Sequence, residues 1–146
     1  MDHDPPRTPA GLPPIRTDQD LHRTWSTLLG PLGFSVRRLW LAFLDEDGRM
    51  HGPLAQIDDL PVRADEASCR TLLSICAEVL GDPPDGRSCA VLLTRPGRDP
   101  VSSDDRRWAR ALAAAARSSG VALWPTHLAN DRELVVFAPD DMLAPR

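Results

Sequence analysis

The chain has 146 residues, 42% of them hydrophobic and 26% charged, with a net charge of −4 at pH 7. That length fits one domain able to bury roughly 68–70% of its unfolded surface, so no disulfide or metal staple is required. The acidic balance counts against a nucleic-acid binder, which ordinarily carries a basic excess to displace phosphate counterions. No window of 18 consecutive apolar residues occurs, which excludes a membrane-spanning helix as an expectation.

Residues 1–16 hold five prolines, Pro5, Pro6, Pro9, Pro13 and Pro14. Such a segment offers little apolar surface to offset ordering entropy, and it reads as a disordered tail. The opening Met1-Asp2-His3-Asp4 is acidic, unlike a secretory signal. Residues 17–141 read as one α/β domain and 142–146 as a flexible end.

Thr17 or Asp18 can cap a first helix, in which Leu21, Trp25, Leu28 and Leu29 form one stripe and Gly30-Pro31 is the stop. Val36–Leu44 turns continuously apolar, as a strand covered on both faces does. Asp45-Glu46-Asp47-Gly48 is a turn, and a second strand runs to about Ile57, with Pro53 marking it as an edge or bulged strand. A second helix opens at Ala64 or Asp65. Cys69, Leu72, Leu73, Cys76, Ala77 and Leu80 give it a buried stripe that ends at Gly81. Cys69, Cys76 and Cys89 include no C-x-x-C pair and read as buried reduced thiols of a cytoplasmic protein.

Cys89–Thr94 is a short buried strand. An Ala-rich helix spans 103–119, with Trp108, Leu112, Ala115 and Ala116 inward. Strands are expected at 121–124 and 133–138, with His127 beyond the end of the first. Helices alternating with strands imply a mixed sheet with a β-hairpin and helices on its faces.

The segment Ala90–Val136 carries a resemblance. A buried strand leads into Arg98-Asp99-Pro100, then Ser102-Ser103-Asp104-Asp105 at a helix start, Gly120-Val121, His127-Leu128, and a turn at Asn130-Asp131. This resembles the RadC-like branch of the JAB/MPN metalloprotease fold, whose pattern is strand, H-x-H-P-S-G-D-P, S-x-x-D, helix, G-V, strand, D-H-L and turn. The resemblance implies a cytidine-deaminase-like α/β architecture. It also implies a metal held by two histidines and an aspartate, which would activate a bound water.

Aligned on Asp99-Pro100, the histidine positions are Leu93 and Arg95, and the Ser and Asp positions are Ser103 and Arg106. A slip of one residue gives Leu92 and Thr94, with Ser102 and Asp105. Neither register supplies a histidine, so no metal ligand and no cofactor are carried over. Ser102-x-x-Asp105 also has the spacing of a capping box.

The vestigial pocket is therefore expected around Arg95, Arg98, Asp99, Ser102, Ser103, Asp105 and His127. A second candidate is the arginine face of the Ala-rich helix, where Arg106, Arg110 and Arg117 share a side and could meet an acidic protein. A neighbouring copy presenting Asp140-Asp141 is one such partner. The reading is a non-catalytic binding or scaffolding domain with a protein partner. A divergent hydrolase using His127 with Asp105 or Asp99 is the alternative, and a DNA-associated accessory protein comes last.

Overall fold

A computed structural model describes residues 11–81 and 84–138. The elements run α1 (Asp18–Leu29), β1 (Arg38–Leu44), β2 (Ala55–Asp58), α2 (Glu66–Leu80), β3 (Ser88–Thr94), α3 (Ser103–Ser119), β4 (His127–Ala129) and β5 (Leu134–Val136). They build the expected mixed α/β sheet, with strand order β2-β1-β3-β4-β5. β1 is antiparallel to β2 and β3, β3 is parallel to β4, and β4 is antiparallel to β5. No helix among the described residues is long and apolar enough to cross a membrane.

The sheet is covered on both faces because its central strands alternate between two cores. On one face Leu39, Leu41, Val91, Leu93 and Leu128 pack with Leu73 and Cys76 of α2 and Trp108 and Leu112 of α3. On the other face Ala42, Leu44, Ala90, Leu92 and Ala129 pack under Leu21 and Trp25 of α1. The period of two along each strand produces this division. Each helix starts where a side chain caps it: Thr17 with Asp20, Asp65 alone, and Ser102 with Asp105. All three cysteines are free and buried.

Two expectations need correction. The strand expected at 121–124 reduces to a single bridge between Cys89 and Leu123, and the fourth strand is His127–Ala129. Pro125 interrupts the earlier run and has no backbone N–H for a ladder. The domain also begins before residue 17. Ile15 is 2% exposed, belongs to the α1-side core, and donates its N–H to the Gly48 carbonyl at 2.7 Å. Residues 1–10 and 139–146 lie outside the described residues, and with them the rest of the tail, Asp140-Asp141 and the C-terminal end.

Gly48 is what lets the tail cross the β1–β2 turn. Its φ is +78°, and a Cβ there would stand 2.3 Å from the Ile15 carbonyl oxygen. Gly120 has a similar φ of +69°, but a Cβ there would meet nothing within 4 Å. Gly120→Ala should therefore cost only the left-handed penalty of about 1–2 kcal/mol. Gly48→Ala should cost clearly more and should expose the segment around Ile15 to protease. Urea denaturation paired with limited proteolysis checks this, and equal losses for the two variants would contradict it.

Candidate functional site

The expected pocket lies where β3 ends and α3 begins, and a buried ion pair fills it. Arg95 follows β3 directly and is 6% exposed; Asp105, in the first turn of α3, is 2% exposed. The Arg95 Nε lies 3.2 Å from both Asp105 oxygens, and Nη2 donates to Oδ2 at 2.9 Å. Nη2 also donates to the carbonyls of Asp99 and Pro100 at 2.9 and 3.0 Å. One guanidinium thus ties the helix start to the loop between β3 and α3. A planar fork of N–H donors suits this arrangement, and a lysine would not reproduce it.

Asp105 serves two structures at once. Its Oδ2 accepts the Ser102 N–H at 2.9 Å while the Ser102 Oγ accepts the Asp105 N–H at 3.1 Å, a complete capping box. Burial alone would push its carboxyl pKa up. The hydrogen bonds from Arg95 and Ser102 outweigh that and hold it below the ordinary 3.8. Arg37 stands 4.0 Å from Asp105 Oδ1, at the rim.

The neighbouring loops are fastened just as closely. Asn130 is 1% exposed; its Nδ2 donates to the Asp99 carbonyl at 2.8 Å, and its Oδ1 accepts the N–H groups of Arg132 and Glu133 at 2.8 Å each. Asp131 accepts N–H groups from Gly97 at 2.7 Å and Phe34 at 2.8 Å, and those two bonds lower its pKa. Leu93, Arg95, Asp105, Trp108 and Leu128 surround a remaining cavity of about 10 Å³. That is at the lower limit for a single water.

Of the expected pocket residues, Arg95, Asp99, Ser102 and Asp105 come together, Asp99 through its backbone carbonyl. Arg98 is exposed and acts on Asp131 only through space. Ser103 is exposed at the first position of α3. His127 is not in the pocket. It pairs in register with Leu92 and lies on the α1 face, its ring 5.7 Å from that of His22. Asp105 lies on the opposite face, so the pairing of His127 with Asp105 is not assembled. The residues the sequence reading passed over are Arg37, Asn130 and His22. Asn130-Asp131 was legible only as a turn, and nothing in spacing alone sends Asn130 inward.

His127 is fully buried and Nδ1 lies 3.2 Å from the Pro125 carbonyl, which can only accept, so Nδ1 carries the proton. Nε2 has no partner. Burial, with a small contribution from His22, lowers its pKa from 6.5 to about 4.

A metal does not fit this site. The side chains beside Asp105 include Leu93, which has no donor atom, and Arg95, which is itself a cation. Asp105 is already saturated by Arg95 and Ser102. Among the described residues no group of three His, Cys, Asp or Glu side chains could hold a metal ion.

Two outcomes follow. Asp105→Asn and Arg95→Met should each destabilise the fold by about 3–5 kcal/mol, since each leaves a buried charge or donor unpaired. The double variant Arg95→Met/Asp105→Leu should lose less than the sum, which chemical denaturation of the four proteins would show. His127 gives a separate pH signature. Its folded pKa is depressed, so its stability contribution is full above pH 6.5 and is lost as pH falls toward 4. Stability should drop by up to about 1.4 kcal/mol per pH unit in that window, and His127→Asn should flatten the slope between pH 6.5 and 5. A wild-type profile that is already flat there would rule it out.

Compared with known proteins, the chain matches no protein-family model and no curated relative.

Proposed function

We propose that the chain is a non-catalytic domain, similar to the RadC-like branch of the JAB/MPN fold, that works by binding another protein. The observation that carries the reading is the seat of Arg95 on Asp105. It favours a register that joins the two weighed from sequence, with a loop one residue shorter than the family pattern. Leu93 and Arg95 then stand at the histidine positions and Asp105 at the aspartate position. In that register a guanidinium takes the place of a divalent cation on the same carboxylate. Charge balance at the site is kept while Lewis acidity and the open coordination position are lost.

Other features support the same reading. The element order, with a hairpin before the second helix and a parallel β3–β4 pair after it, is the one the resemblance implies. The alternative of a divergent hydrolase loses its base, because His127 and Asp105 occupy opposite faces of the sheet. A cavity of about 10 Å³ also leaves no room for a substrate atom beside Asp105. Three buried free thiols suit a reducing, cytoplasmic setting.

Metal analysis tests the reading. Purified protein given excess zinc and then dialysed should retain well under a tenth of an equivalent. Leu93→His/Arg95→His should retain about one, because it restores two imidazoles beside Asp105. Stoichiometric zinc in the wild-type chain, or amide hydrolysis abolished by Asp105→Asn at a pH where that variant stays folded, would overturn it.

A further inference from the structure

A concentration of positive charge lies away from the ion pair, in a groove between α2 and α3. Its volume is about 500 Å³, and Arg70, Arg107, Arg110 and Arg117 line it. Glu66 is the one acidic side chain in the lining. Four guanidinium groups against one carboxylate give the groove a net +3 in a chain of net −4. Among the described residues, none of the four arginines has a carboxylate within 4.0 Å, whereas Arg23, Arg37, Arg38, Arg87 and Arg95 each do. Arg110 makes one local bond, from Nε to the Arg106 carbonyl at 3.3 Å.

The structure therefore revises which arginines share the face. Arg107, Arg110 and Arg117 line the groove with Arg70, and Arg106 does not. Between the guanidinium groups lie Ala111, Ala114 and Ala115, side chains of one carbon that let a backbone approach the helix closely.

We infer that this groove binds an acidic segment of a partner protein. The inference rests on the non-catalytic reading above and gives it a surface and a partner chemistry. Arg107 and Arg110 are one turn apart, and Arg117 is about 15 Å along the axis from Arg107 at 1.5 Å per residue. An extended peptide repeats side chains on one face about every 6.7 Å, so carboxylates at alternate positions over roughly five residues span the row. Guanidinium forks take carboxylates in pairs of parallel hydrogen bonds. A nucleic acid fits less well. The lining contains no aromatic side chain for a base to stack on, and the net charge of the whole chain opposes a phosphate backbone.

Fluorescence anisotropy with a labelled eight-residue Glu-Ala repeat, against a Gln-Ala repeat and a 12-nucleotide DNA strand, tests it on the full chain. The Glu-Ala peptide should bind and the Gln-Ala peptide should not. Affinity should fall about tenfold or more as NaCl rises from about 50 to about 200 mM, because exposed charges are screened. Arg107→Glu/Arg110→Glu should weaken binding at least about tenfold, while Arg49→Glu, on the hairpin turn, should leave it unchanged. Circular dichroism of both variants separates lost binding from lost fold, and Arg107→Gln/Arg110→Gln, with a smaller loss, serves if the reversal does not fold.

Tighter binding of the DNA with the same arginine dependence would overturn the peptide assignment. So would a concentration-dependent dimer abolished by the reversal, since a second copy would then fill the groove. If neither probe binds while the chain still holds no zinc, this assignment fails and the non-catalytic reading stands.

Discussion

A guanidinium and a carboxylate that are both nearly out of water hold the centre of this molecule together. Removing two charges from solvent costs several kcal/mol per ion, and attraction between them offsets this only where further hydrogen bonds satisfy the remaining atoms. The Arg95–Asp105 pair meets that condition. Arg95 also donates to two carbonyls, and Asp105 also accepts the Ser102 N–H. The groups that hydrogen-bond to the pair belong to the chain between β3 and α3, with Arg37 at the rim. The position of α3 on the sheet and the path of that loop are therefore consequences of the same contact.

The pair also organises the hydrogen bonds of the neighbouring loops. With the Asp99 and Pro100 carbonyls turned inward to Arg95, Asn130 can reach the Asp99 carbonyl from the β4–β5 turn. Asp131 then fastens that turn to Gly97 and, through Phe34, to the segment before β1. Three loops from separate parts of the chain converge on one polar knot. The polar groups of this knot are spent on one another. Four arginines without an ion pair among the described residues lie elsewhere, in the groove between α2 and α3.

The helices were legible because their signals are local. Thr17, Asp65 and Ser102 cap from within four residues, Gly120 ends α3 in the left-handed conformation, and the stripes on α2 and α3 follow from a 3.6-residue period. The C-terminal strands were less legible. Val121–Trp124 is more apolar than His127–Ala129, yet the latter forms β4, because pairing with β3 is decided by where α3 returns the chain and by Pro125. Ile15 was hidden for a similar reason. Its burial depends on a glycine 33 residues away, and proline content near it argues for the opposite state. At the site, Ser102 and Asp105 read correctly as a cap. Which arginine would cross to Asp105 is a long-range fact that spacing does not contain, and the same holds for the face on which His127 lies.

The distribution of arginine ties these points together. The chain carries 17 basic side chains other than histidine, and all are arginine, so the residue type by itself marks nothing. What distinguishes them is partner geometry. Arg95 is enclosed and neutralised, and its role is completed inside the fold. Arg38 lies at the start of β1, held by Asp58 and set over the Trp40 ring at 5.5 Å from its centroid. Arg70, Arg107, Arg110 and Arg117 stand together with Glu66 as the one acidic side chain in the lining, and among the described residues none of them has a carboxylate within 4.0 Å. Like charges gathered on one surface repel one another, and in an acidic protein nearby carboxylates were available to relieve them. Among the described residues no ion pair relieves them, and that sets this groove apart from the sites of Arg38 and Arg95.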